Sequence, residues 1–178
     1  MERLPFFATA GAQPYDAIRR IPVVVVLDNV RSMYNVGSFF RTGDAAGIEK
    51  LILAGITAKP PKKEITKTAL GAEEHVPWEH TWNAAPAVAM LNGLGYEIAA
   101  VETSPRAVDL FDWRPRFPVC VLFGHEVEGL APNLRGLADT HVRIPMLGVK
   151  HSLNVATAGG VLLFELLRKF RDLHAGRT

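Results

Sequence analysis

Apolar positions along the chain fall into two alternating rhythms. Residues 23–27 are four valines and a leucine in unbroken succession, which predicts a strand buried on both faces. Residues 36–46 follow with Val36, Phe39, Phe40 and Gly43 on one stripe at helical spacing, Asn35 in the N-cap position and Gly47 at the C-terminal stop. Residues 50–54 predict the next strand. Between 55 and 67 stand Lys59, Pro60, Pro61, Lys62 and Lys63, an exposed basic loop leading to a short helix near 65–70. A strand over 76–81, a helix over 85–94 and a strand over 96–101 come next. Residues 106–118 are irregular and punctuated by proline. Val119–Phe123 is a short buried strand, 132–137 a helical stretch and 142–144 the last strand. A long helix over about 153–169 ends in Arg168 and Lys169, cations that suit the helix dipole. The first twenty residues read as a lead-in with helical character around 15–20. Repeated β-α units of this kind imply an α/β fold, a mostly parallel sheet flanked by helices.

Composition narrows the picture. With 178 residues, 48% of them hydrophobic, the chain can bury a core without disulfides or a structural metal, as one domain over 21–178 after the 1–20 lead-in. The single cysteine, Cys120, lies in an apolar run and reads as a small buried hydrophobe; one cysteine makes no internal disulfide, and a reduced, cytoplasmic setting follows. No secretory signal opens the chain. The longest apolar stretch, 155–167, is short of a membrane span and carries Thr157 and Glu165, so a soluble protein with no membrane contact is expected. A net charge of +2 permits a nucleic-acid partner without demanding one. No G-x-G-x-x-G follows the first strand, which counts against a nucleotide-dependent oxidoreductase. His75, His80, His125, His141 and His151 have no ligand spacing with a cysteine, so no metal site is expected.

In open parallel sheets, ligands bind beyond the carboxyl ends of the strands. That directs attention to residues 28–37, 102–105, 124–129 and 145–154, which hold most of the chemically suggestive side chains. In NVGSFFR (35–41), Gly37 and Arg41 share one helix face, so the segment is either an N-cap with a surface arginine or an opening for a bulky group beside a guanidinium. GHEVEG (124–129) places two glycines and two carboxylates in a tight loop, either an ordinary strand-to-helix turn or one offering backbone groups to a ligand. It is not a Walker phosphate loop, since Leu130 and Ala131 stand where that motif needs Lys and Ser/Thr. IPMLGVKHSLN (144–154) leads into the last helix with Ser152 as a natural N-cap. Gly159 and Gly160 inside that helix cost about 1 kcal/mol each relative to alanine, which implies that a helix or a ligand packs close to the backbone.

Taken together, NVGSFFR, LFGHEVEGL and IPMLGVKHSLNVATAGGVLLFE resemble the three ordered motifs of the SpoU/TrmH branch of the SPOUT RNA methyltransferases, over about residues 23–170. His125 and Val127 stand where that family often carries small residues. The resemblance implies a C-terminal trefoil knot, a homodimer, and S-adenosylmethionine as donor of a methyl group to a ribose 2′-hydroxyl of tRNA or rRNA. Carried over position by position, it gives Arg41, Asn35, Glu126, Ser152 and Asn154 as catalytic candidates. Thr103, Gly124, His125, Glu126, Ile144, Met146, Ser152 and Leu153 fall around the cofactor. Arg41 would be a general base or an anchor for phosphate or alkoxide, and Glu126 would orient Arg41 or fix its loop. RNA would be gripped by Arg31, Arg41, Lys59, Lys62, Lys63, Lys67 and Lys150, with Trp78, Trp82 and Trp113 available for stacking or for packing. The rival within this fold is a catalytically silent RNA-binding relative.

Overall fold

The computed structural model describes residues 20–174, so the helical lead-in expected around 15–20 lies outside the described residues, Arg20 excepted. The strands are β1 (Ile21–Asp28), β2 (Ile48–Ala54), β3 (Trp78–Thr81), β4 (Glu97–Val101), β5 (Val108–Asp109), β6 (Val119–Phe123) and β7 (Thr140–Arg143). They form one sheet in the order β3-β2-β1-β6-β4-β7-β5, with every pairing parallel. The helices are α1 (Met33–Ala46), α2 (Lys63–Ala69), α3 (Ala84–Gly93), α4 (Pro132–Arg135) and α5 (Val155–His174). The α/β class with a parallel sheet is as the sequence pattern implied.

The valine run of β1 explains the layering. Val23, Val25 and Leu27 point into a core shared with Phe39 and Phe40 of α1, Ile65 of α2 and Leu162, Leu163 and Leu166 of α5. Val24 and Val26 point the other way, against Val88 and Leu91 of α3 and Leu134 of α4. Alternation along one strand thus fills both faces of the sheet. Cys120 sits on the second face, fully buried, and burial pushes its thiol pKa up to about 12. Among the described residues, no helix is long and apolar enough to cross a membrane.

Several boundaries differ from the sequence reading for identifiable reasons. Helix α1 starts at Met33, because Ser32, not Asn35, is its N-cap: the Ser32 hydroxyl accepts from the Asn35 N–H at 3.3 Å. Its end is as expected, with Gly47 in the left-handed region at φ 68°. Helix α5 starts at Val155, because Asn154, not Ser152, supplies the cap, accepting from the N–H of Ala156 (2.9 Å) and Thr157 (3.3 Å). The irregular 106–118 stretch contains the two-residue strand β5, too short to leave a periodic signal.

Two of the three helix glycines that invited a close neighbour, Gly37 and Gly159, prove to be packing devices. A Cβ on Gly37 would overlap Thr68 Oγ1 and the Ile65 carbonyl, so Gly37 lets α2 lie directly on α1 and opens no space beside Arg41. A Cβ on Gly159 would overlap the Phe39 ring, so Gly159 lets α5 lie close on α1.

Candidate active site

The carboxyl ends of all seven strands share one edge. There, the loops after β4, β6 and β7 enclose a cleft of about 390 Å³. Its walls include Val101, Phe123, Val142, Ile144, Met146, Leu153 and Ala158, with Glu102, Thr103, His125, Glu126, Arg143, His151, Ser152 and Asn154 as polar groups. Its size, and apolar walls broken by groups that can hydrogen-bond a ligand, are those of a small-molecule site. The eight positions carried over as cofactor contacts (Thr103, Gly124, His125, Glu126, Ile144, Met146, Ser152 and Leu153) all border this one cleft.

The loop after β6 is shaped by backbone constraints. His125 and Gly129 exchange hydrogen bonds (3.1 and 2.9 Å), and His125 Nδ1 accepts from the N–H of Val127 (3.1 Å) and Glu128 (3.2 Å). These bonds use the N–H groups of His125, Val127, Glu128 and Gly129 within the loop itself, as in a tight strand-to-helix turn. Gly124 has no room for a side chain, since a Cβ would strike the Gly129 carbonyl and the Leu130 nitrogen. His125 therefore closes its own turn, which gives a physical use to a residue larger than the family often has there.

Glu126 reaches from this loop to the start of α1. It accepts from the N–H of Arg31 (3.2 Å) and Ser32 (3.1 Å) and from the Asn35 side-chain amide (3.1 Å). Partial burial works to raise its pKa, but the backbone N–H groups of Glu126, Ser32 and Arg31 and the Asn35 amide outweigh it and hold the carboxyl below its ordinary value. A carboxylate at the N-terminus of α1 is also favoured by the helix dipole. Asn35 in turn accepts from Asn154 Nδ2 at 3.1 Å. One chain of hydrogen bonds thus ties the loop after β6, the start of α1 and the start of α5, using Glu126, Asn35 and Asn154.

Arg41 is placed differently. It is exposed, lies six residues along α1 from Asn35, and does not border the cleft. Glu126 spends its carboxylate on the helix start and not on Arg41, the geometry of the second of its two candidate roles, fixing a loop. Arg31, Arg41, Lys59, Lys62, Lys63, Lys67 and Lys150 are all exposed, and the ion pairs among the described residues involve none of them. Of the tryptophans, Trp113 is buried and bonded to Glu97, Trp78 packs against Phe40, and Trp82 is exposed.

Sequence reasoning passed over Glu102. It borders the cleft at the end of β4, with one oxygen 2.6 Å from His141 Nδ1 and the other 3.2 Å from Arg135 Nε. Its place in the strand-end loop 102–105 was the available signal. Among the described residues no cluster of His, Cys, Asp or Glu is arranged to hold a metal ion.

A parallel α/β sheet carrying a small-molecule cleft at its carboxyl edge, beside a helix bearing an unpaired arginine, defines the general class. The sequence model of the SpoU rRNA methylase family matches residues 22–164, and the chain belongs to that family. A Staphylococcus haemolyticus protein assigned to the TrmH family of tRNA/rRNA methyltransferases is 30% identical over 84% of this chain and 59% of its own length. The chain therefore spans about three fifths of the curated relatives it matches. The AdoMet-bound rRNA methyltransferase of Sinorhizobium meliloti superposes with a TM-score of 0.78 at 32% identity, over 88% of this chain and 60% of that one. A structure concerned with 2-OH methylation of C/U34 on tRNA superposes at 0.72 with 28% identity, over 84% of this chain and 97% of that one.

Proposed function

We propose that this protein transfers a methyl group from S-adenosylmethionine to a ribose 2′-hydroxyl of tRNA or rRNA. The observation that carries the reading is the convergence of the three motif segments: two border one cleft, and the first is joined to it through Glu126, Asn35 and Asn154. The AdoMet-bound relative and the relative concerned with tRNA 2-OH methylation support the donor and the acceptor respectively.

The lining suits the donor chemically. Ile144, Met146 and Leu153 offer apolar walls, and Thr103 and Ser152 offer hydroxyls. When bound, S-adenosylmethionine supplies a methyl already activated by its sulfonium charge. The protein has then to align the acceptor, exclude water and assist loss of one proton. Glu126 and Asn35 hold the start of α1 against the cleft, and Asn154 fixes the start of α5. Arginine is in practice always protonated, so Arg41 anchors an acceptor phosphate or stabilises developing alkoxide rather than taking the proton. Its exposure and lack of an ion pair leave it available for that role.

A homodimer belongs to the same proposal. Leu162, Leu163 and Leu166 of α5 are buried in the chain's own core and are not available to a partner. A different set, Val161, Phe164 and Leu173, is exposed, and it is these that a second copy would cover. A buried, unreactive thiol suits the reduced cytoplasm.

The test is transfer of label from methyl-tritiated S-adenosylmethionine into separated unmodified tRNA and rRNA, followed by alkaline hydrolysis. Label retained in alkali-resistant dinucleotides is expected, because a 2′-O-methyl group blocks cleavage at that ribose. Label released in mononucleotides would place the methyl on a base and overturn the ribose assignment.

A further inference from the structure

We propose that the carboxyl edge of β2 and β3 is a nucleotide-binding surface, in which Trp82 stacks on an unpaired base of the RNA while Lys59, Lys62 and Lys63 meet its phosphates. This rests on the RNA methyltransferase reading and adds where, outside the cleft, the acceptor strand is gripped.

Trp82 is 79% exposed, the opposite of Trp113, and one ring contact supports it. Its ring stands edge-on to His80, with centroids 5.0 Å apart and planes at 89°. His80 is itself held, with Nε2 3.2 Å from the Gly55 carbonyl oxygen. The backbone on either side is fixed. The Thr81 hydroxyl accepts from the Asn83 N–H (3.4 Å) and donates to the Asn83 carbonyl (3.0 Å), and the Asn83 side chain caps α3. A large exposed aromatic ring held this way loses little further freedom when a flat partner covers it, which is the arrangement that base stacking favours.

The neighbouring chemistry selects nucleic acid. The Gly55 N–H donates to the Thr81 carbonyl at 2.9 Å, so the basic loop leaves the sheet directly beside Trp82, with Ile56 also exposed there. Residues 55–67 carry four lysines, Lys59, Lys62, Lys63 and Lys67, against one acid, Glu64. The nearby Glu79 on β3 is already paired with Lys50 at 2.9 Å. An aromatic platform beside an excess of cations matches a strand with exposed bases and a phosphate backbone. In the sheet order, β3 lies three strand spacings from β6, about 14 Å, so the stacked base flanks the reacting ribose rather than being it.

The experiment compares binding of two labelled RNAs by fluorescence anisotropy at fixed salt: a single strand of about twelve nucleotides and its blunt duplex, which hides its bases. Trp82→Ala is expected to weaken single-strand binding roughly tenfold, the effect of losing one base–aromatic stack. Duplex binding should change by less than about twofold, and Trp82→Phe should recover most of the loss. Lys62→Ala/Lys63→Ala should weaken both RNAs and flatten the salt dependence of single-strand binding by about one unit of slope. Thermal melting and donor binding of each variant, unchanged from wild type, would exclude a structural cause. Single-strand binding by Trp82→Ala equal to wild type overturns the stacking surface alone if the wild type still methylates RNA. A wild-type protein that neither binds nor methylates RNA overturns the underlying reading as well.

Discussion

Gly159→Ala sets two effects of opposite sign against each other, and the structure decides between them. Alanine in place of glycine within a helix stabilises by about 1 kcal/mol through backbone entropy. The added Cβ, however, would lie 2.6 Å from Phe39 Cζ and closer still to Cε1, more than 1 Å inside ordinary carbon–carbon contact. Phe39 has nowhere to retreat, being 1% exposed with its ring edge-on to Phe123 at a centroid separation of 5.0 Å. Overpacking of such a site costs about 1–3 kcal/mol, and the trapped ring puts this case at the upper end. The net expectation is a loss of about 1–2 kcal/mol, or roughly 2–8 °C in Tm for a domain of this size. Urea unfolding followed by circular dichroism measures it directly. In a Phe39→Leu background the clash is relieved, and the same Gly159→Ala change should become neutral or stabilising by up to about 1 kcal/mol. A Gly159→Ala protein as stable as wild type, with no reversal in the Phe39→Leu background, would refute the packing argument.

The Glu126 carboxylate, with its pKa depressed by the α1 start, contributes stability that is present above the ordinary glutamate value of the unfolded chain and lost as pH falls through the lower folded value. Urea midpoints taken from about pH 6 down to about pH 3 should therefore fall less steeply for Glu126→Gln than for wild type; equal slopes would remove Glu126 from that account. Glu97 is buried and accepts from Trp113 Nε1, the Arg116 N–H and the Thr140 hydroxyl, so Glu97→Ala strands three donors and should cost about 3 kcal/mol in the same unfolding assay. Cys120, with its thiol pushed up to about 12 and no exposure, should resist a thiol reagent in the native protein and react at once in denaturant.

The legible part of the fold was the part written in runs and stripes. β6 falls at Val119–Phe123 as the apolar run predicted, and β1 extends the valine run only to Ile21 and Asp28. Helix starts were misplaced because two polar residues compete at each: Ser32 caps α1 while Asn35 bonds Glu126, and Asn154 caps α5 while Ser152 borders the cleft. Sequence pattern names the capping residue types but not which one folds back. The strand order was illegible, since nothing local states that β6 inserts between β1 and β4. The motif segments could be located by the strand-end rule, whereas the uses of Gly37 and Gly159 could not, because their partners lie on other helices. Trp82 follows the end of β3 and is exposed, whereas Trp113, in the irregular segment between β5 and β6, is buried against Glu97, a difference that only tertiary packing decides.

In the proposed function, the cleft holds the donor and the exposed face of α1 presents Arg41 to the acceptor. The most direct test is to measure, on Arg41→Ala, donor binding by calorimetry and methyl transfer to RNA under single-turnover conditions. Donor affinity within a few-fold of wild type, together with transfer reduced to background, is the predicted result. Transfer retained, or donor binding lost along with it, would contradict the division.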